Sequence, residues 1–258
     1  SAGLAKNGMI PVFAVYSTFL QRSYDQIIHD ASIQKLHIIL AIDRAGIVGE
    51  DGKTHQGLFD TSFLNNIPNV TILCPSYFDE LRFMLKNAIY NESEIVAVRY
   101  PRGRELYKPK NFLIKDSKYV FFGDEKSDIL IITYGRLFSF ACECMERLEK
   151  QGISACILKL NTVKPIDSSA VIGAKDFKYC FFFEEGICCG GIGEHFLCKL
   201  IENDFTGKYT LTAIDDQYVE QSTVASALKK YKLDTDGMEE VILKKIKCDG
   251  ELCGKEKT

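Results

Sequence analysis

The run His37–Asp43 (HIILAID) constrains this 258-residue chain more than any other stretch. It is apolar without interruption, short for a helix, and lacks the alternation of a half-solvated strand. It therefore reads as a strand covered on both faces. Further strands are expected at Pro11–Tyr16, Val70–Leu73, Ile95–Tyr100, Asp128–Tyr134 (DILIITY), Ser154–Leu160, Tyr179–Glu184 (YCFFFE) and Tyr209–Ile214. Helical patterns fill the intervals: Ser23–Lys35, Phe78–Asn91, Leu137–Gln151, a helix after Gly190-Gly191, and two more near Thr223–Tyr231 and Met238–Lys247. Strand and helix in alternation are the grammar of a parallel α/β sheet. Between Pro101 and Lys118 the pattern lapses into Arg, Lys, Pro and Asn. The expected fold is therefore α/β, two doubly wound, mainly parallel-sheet domains in tandem. They span residues 1–103 and 118–248, joined by a linker at 104–117 and followed by a disordered tail at 249–258.

Composition narrows the partners. A net charge of −3 and a pI near 5.9 leave no basic stripe, which argues against nucleic acid. No apolar run approaches the ~20 residues needed to span a bilayer, and the first residues show no secretory leader. Ten cysteines suggest metal or disulfides, but no CxxC pair or Cys/His quartet with zinc spacing occurs. Reduced thiols in a cytoplasmic protein are expected instead, with Cys248 and Cys253 exposed in a polar tail.

The chemistry concentrates in Gly49-Glu-Asp51-Gly-Lys-Thr-His55-Gln-Gly57, directly after the HIILAID strand. Its glycines open backbone conformations closed to bulkier residues, as expected of a loop that carries function at a strand end. An imidazole titrates near neutrality, so His55 can hold or pass a proton where a carbonyl oxygen gains charge. Arginines at 22, 44, 99 and 102 can grip carboxylate or phosphate through paired hydrogen bonds. Of these, Arg99 is the weaker candidate and could pair with a carboxylate at a domain interface. Gly190-Gly191-Ile-Gly193 opens a helix, yet lacks the acidic partner that a dinucleotide loop requires.

Together with Tyr16-Ser-Thr-Phe19-Leu-Gln-Arg22-Ser-Tyr-Asp25-Gln-Ile-Ile-His29-Asp30 and Arg99-Tyr-Pro-Arg102-Gly103, this loop resembles the pyrimidine-binding domain of the 1-deoxy-D-xylulose-5-phosphate synthases. These are transketolase-like enzymes dependent on thiamine diphosphate. Glu184-Glu185-Gly186, Asn161-Thr-Val-Lys-Pro165 and Tyr218-Val-Glu-Gln221 look like the transketolase C-terminal domain, which supports dimerisation and does little chemistry. The resemblance implies catalytic roles for His55 and Asp51, and substrate contacts from Tyr16, Arg22, Arg44 and Arg102. It places Phe19 against the aminopyrimidine of the cofactor. The substrates it implies are pyruvate and glyceraldehyde 3-phosphate, in the step that opens non-mevalonate isoprenoid and thiamine synthesis. His29 and Asp30 are assigned to packing at a domain or subunit contact; His37 and His195 are assigned structural roles.

The same resemblance implies that the complete enzyme has more than this sequence holds. No Gly-Asp-Gly run with its downstream Asn, which binds the diphosphate through magnesium, occurs here. The glutamate that activates the cofactor would precede Ala2, so the first domain is expected to be incomplete. The isolated chain is expected to bind thiamine diphosphate weakly and to be inactive without an amino-terminal domain, and to form a homodimer. Tyr218-Val-Glu-Gln-Ser222 departs from the usual family sequence and is expected to lie away from the active site, as is Asn161–Pro165. Two alternatives remain: a transketolase or 2-oxoacid dehydrogenase β-subunit relative, and a catalytically silent assembly module.

Overall fold

In a computed structural model, residues 1–248 are described. The expectation for the tail at 249–258, Cys253 included, lies outside the described residues. The chain opens with α1 (Ala2–Lys6) and β1 (Val12–Tyr16), then runs through a helical stretch of changing pitch. That stretch comprises α2 (Ser17–Leu20), a 3₁₀ turn at Gln21–Ser23, α3 (Tyr24–Gln26) and a π-helical segment Ile27–Ser32. It thus begins well before Ser23, where sequence periodicity starts, because Ser17 and Leu20 bury one face that the polar residues around them conceal. There follow β2 (Ile38–Asp43), α4 (Asp60–Asn65), β3 (Val70–Leu73), α5 (Phe78–Tyr90) and β4 (Ile95–Arg99). The second series is β5 (Tyr119–Gly123), β6 (Ile129–Tyr134), α6 (Leu137–Lys150), β7 (Cys156–Leu160), β8 (Thr162–Lys164) and α7 (Ser168–Ala174). It closes with β9 (Tyr179–Ile187), α8 (Ile192–Glu202), β10 (Lys208–Ile214), α9 (Val224–Lys230) and α10 (Thr235–Cys248).

Two five-stranded sheets result, ordered β1-β2-β4-β3-β8 and β10-β9-β6-β7-β5. All pairings are parallel except one at an edge of each sheet, β8 against β3 and β5 against β7. The buried-strand reading of Ile38–Asp43 holds, since its first five residues are buried. β8 comes from the second half of the chain yet completes the first sheet, so the sheets do not divide at residue 103. Its pairing places Ile72 opposite Lys164 and Leu73 opposite Thr162.

One apolar cluster joins both sheets. It runs from Leu40 and Ile42 on β2 through Leu64 on α4 to Leu158 on β7 and Phe182 on β9. A smaller cluster packs Ala88 of α5 against Ile39, Val96 and Val98 on the first sheet's other face. A third fills the space between β6, β9, α6, α9 and α10, with Phe138, Phe181, Leu228 and Ile242 fully buried. Both sheets are therefore covered on two faces, the condition that parallel sheets require.

Candidate functional site

Three neighbouring parallel strands deliver the predicted residues to one edge. β1 ends at Tyr16, in register with Asp43 at the end of β2, and β4 ends at Arg99 beside them. The carboxyl ends of strands in an open α/β sheet are where ligands gather. Here the strand ends and the segments leaving them carry all seven candidates, and they touch in an unbroken series. Arg102 Nη1 lies 3.6 Å from Asp51 Oδ2, and Asp51 also pairs with Arg44. The Arg44 guanidinium lies over the Tyr16 ring at 4.1 Å. Tyr16 stacks on Phe19 at 5.6 Å, and Phe19 meets His55 edge-on at 5.5 Å. Arg22 sits 5.5 Å from the Phe19 ring centre. Arg44 adopts a φ of +55°, a strained conformation for a side-chain-bearing residue, which its backbone bond to Asp43 Oδ1 at 2.7 Å helps to hold.

The loop between β2 and α4 is closed at its neck by paired backbone bonds between Gly46 and Gly57, of 2.6 and 2.8 Å. Gly46 has a φ of +82°, and a Cβ there would fall 2.4 Å from the Glu185 carboxyl carbon, so only glycine fits. Within the loop, Gln56 Oε1 accepts from Val48 N, and His55 N donates to Gly52 O. Thr18 Oγ1 donates to Thr54 O at 2.8 Å, tying α2 to the loop. His55 Nδ1 is hydrogen-bonded to Thr54 Oγ1 at 2.9 Å, which fixes one ring nitrogen and leaves Nε2 for a ligand.

Of the seven candidates, Phe19, Arg22 and His55 line a cavity of about 650 Å³, together with Lys53, Phe59 and Tyr218. The last residue overturns an expectation. The Tyr218–Ser222 segment does not lie away from the site. Tyr218 packs edge-on to Phe59, and Glu220 pairs with Lys53 at 2.7 Å. Nothing in the local pattern announces this, because the contact depends on how the second sheet docks on the first.

Arg99 belongs to a different set. Its Nε reaches both oxygens of Asp60 at 3.0 and 2.9 Å, and Nη2 donates to Gly57 O and, across to the second sheet, to Glu185 O. The interface reading of Arg99 is correct. Beside it, Arg136 Nε donates to Glu185 Oε2 at 2.8 Å, while Ile47 N donates to Glu185 Oε1. Among the other histidines, His37 Nε2 bonds Ala88 O at 2.7 Å, His29 pairs with Asp25 at the surface, and His195 sits half-buried on α8. The nine described cysteines are free, and five of them are buried. Their thiols at 142, 144 and 180 are pushed up by burial, away from reactive thiolate.

Residues 1–106 match the family described as "Transketolase, pyrimidine binding domain", and residues 119–238 match "Transketolase, C-terminal domain". The chain belongs to the transketolase family. Similar curated proteins include the 1-deoxy-D-xylulose-5-phosphate synthase of Clostridium botulinum strain Eklund 17B, 42% identical over 95% of this chain. The synthase of Caldanaerobacter subterraneus is 38% identical over 96%. This chain spans about 40% of the length of either relative. Among solved structures, a split-gene transketolase in an inactive β4 tetramer superposes with a TM-score of 0.82 at 23% identity, covering 94% of this chain and 78% of that one. The transketolase of Campylobacter jejuni gives 0.76 at 17% identity over 94% of this chain and 37% of its own.

In this transketolase-family chain the glycine cluster before α8 carries no ligand site. Ile192 N and Gly193 N donate to Glu184 Oε2 at 3.0 and 3.2 Å, and the Tyr134 hydroxyl donates to the same oxygen. A carboxylate of the chain itself therefore fills the helix N-terminus. Burial pushes the Glu184 carboxyl up to about 7, against the pull of those three donors. No helix among the described residues is long and apolar enough to cross a membrane.

Proposed function

We propose that this chain is the pyrimidine-binding and C-terminal part of a thiamine diphosphate-dependent synthase. The reaction joins pyruvate to glyceraldehyde 3-phosphate, releases carbon dioxide and yields 1-deoxy-D-xylulose 5-phosphate. The observation that carries the reading is the continuous contact series from Arg102 to His55, which gathers anion-gripping, aromatic and proton-handling groups at one end of the first sheet. Likeness to named synthases across almost the whole chain supports the substrate choice.

The residues present fit the ring end of the cofactor. Phe19 borders the cavity and is 37% exposed, so part of its ring is open to an aminopyrimidine. Among the described residues no three His, Cys, Asp or Glu side chains converge on a cation position. Magnesium and the diphosphate would be held by a separate amino-terminal part. When bound, the cofactor supplies the electron sink for decarboxylation. In this proposal His55 holds a proton at the acceptor's carbonyl oxygen. Arg44 and Arg102 grip anionic substrate groups; Asp51 pairs with Arg44 and lies 3.6 Å from the more exposed Arg102. Arg22 and Tyr16 complete the anionic and aromatic walls. Free cysteines accord with a cytoplasmic location, and assembly as a homodimer is part of the proposal.

The test combines the chain with the diphosphate-binding part of a synthase, and measures product from pyruvate and glyceraldehyde 3-phosphate. Turnover should require both parts, and His55→Ala in the assembly should lower it by about 10²–10⁴ without lowering the melting temperature. Steady turnover by this chain alone with thiamine diphosphate and magnesium would refute the division of labour. A folded assembly with no turnover would refute the substrate assignment. The silent-module reading draws on the fold shared with the inactive split-gene tetramer, and that same null result would favour it.

A further inference from the structure

Tyr218 enters the His55 cavity from the second half of the chain, and its surroundings fix it there. Its neighbour Val219 is buried in the core beneath α9 and α10. On the other side, Glu220 is paired with Lys53 at 2.7 Å, and Ser222 N donates to Gly49 O at 3.4 Å. Gly49 has a φ of +79°, and a Cβ on it would stand 2.8 Å from both Ser222 O and Val224 N. The two segments thus press backbone to backbone, and the register that presents Tyr218 cannot slip. Tyr218 nevertheless remains 66% exposed. Among the described residues its one ring contact is with Phe59, at 6.4 Å and 65°.

The cavity therefore has two aromatic walls. Phe19 and His55 make one; Phe59 and Tyr218 make the other. No ring contact among the described residues joins the two, so open space separates them, and Arg22 and Lys53 border it. The combination of cations, an exposed ring and a hydroxyl suits a small, hydroxylated anion whose C–H groups lie against the ring.

We propose that Tyr218 is a specificity-determining residue of this cavity, packing against the carbon chain of the phosphorylated aldehyde acceptor. The inference rests on the proposed reaction, with the first wall taken by the cofactor ring and the second left to the acceptor. It gives the C-terminal half a direct part in substrate selection.

The test uses the complete two-part enzyme with Tyr218→Ala and Tyr218→Phe. Tyr218→Ala should raise the KM for glyceraldehyde 3-phosphate about 5- to 10-fold, the scale of one lost aromatic contact. The KM for pyruvate, kcat at saturation and the melting temperature should stay put, and Tyr218→Phe should recover most of the loss. An unchanged acceptor KM would overturn the proposal, as would equal losses for both substrates. If the assembly shows no turnover, the proposed reaction fails by itself. Tyr218 is then judged by the ring resonances that disappear in Tyr218→Phe, followed during titration with glyceraldehyde 3-phosphate. Movement of those resonances supports the contact, and their constancy excludes it.

Discussion

Arg99 and Arg102 lie three residues apart, yet they belong to opposite kinds of charge cluster. The Arg99 side chain is 6% exposed and meets a fully buried Asp60, with Nη2 donating to Gly57 O and Glu185 O. The Arg102 side chain is 55% exposed and reaches a half-buried Asp51 at 3.6 Å, too long for a good hydrogen bond. The first cluster is buried and closed to a ligand. In the second, Arg102 has no tight partner, so a phosphate or carboxylate can reach it without first breaking a strong pair. Burial and hydrogen-bond satisfaction separate a structural arginine from the one proposed to bind substrate, where residue type cannot.

The largest expected effect comes from emptying the buried cluster. Arg99→Ala would leave Asp60 buried without its cation, and should cost about 3–5 kcal/mol of stability in urea unfolding. A loss under 1 kcal/mol would mean that the cluster is not sealed, and the comparison would collapse.

Glu184 probes the same interior by pH. Its carboxyl lies at about 7 in the fold against 4.5 for the ordinary group, so the folded state holds the proton more tightly than the unfolded chain. Its contribution is fully present below about pH 4.5 and is lost as pH rises through about 7, a span worth roughly 3 kcal/mol. Glu184→Gln should flatten that part of the stability profile between pH 5 and 8. An unchanged slope would assign the pH dependence to other groups.

The smallest effect is expected at the open cluster. Arg102→Ala should leave unfolding within about 0.5 kcal/mol of the parent. In the two-part enzyme it should weaken glyceraldehyde 3-phosphate by about 10- to 100-fold, the scale of a charge-assisted bond. If Arg102→Ala destabilised the fold as much as Arg99→Ala, the division between the clusters would be wrong.

Much of this architecture is legible in the sequence. The buried strands of both sheets and the long helices α5 and α6 announce themselves by unbroken apolar runs or by period. The elements that escape are short ones whose reason to exist is tertiary. α4 is six residues long, and its ends are held from elsewhere: Asp60 by Arg99, and the carbonyls of Leu64 and Ile67 by Lys164. Burial alone brings the Lys164 ammonium down to about 8. β8 has three residues and forms only because β3 presents an edge. β5 is a plain apolar strand, hidden by the polar stretch that precedes it. The site follows the same rule. His55, Asp51 and the arginines stand out by motif, whereas Tyr218, Glu185 and Arg136 reach the loop only through the docking of the second sheet. Lys159 is another case: it is fully buried and paired with Glu80 at 2.8 Å, in a strand whose pattern gives no hint of a charge inside.

The position of β8 sets an order of events during synthesis. A nascent chain released only as far as Gly103 holds four strands of the first sheet, with β3 as an open edge. That edge must wait for β5, α6, β6 and β7 to emerge before residues 162–164 can cover it. Unpaired edges invite association with other chains, so the interval is a window of exposure. Scission in the 104–117 stretch would reopen that edge for as long as the halves stayed apart. A gene could be divided before this pair of units with far less penalty than between them.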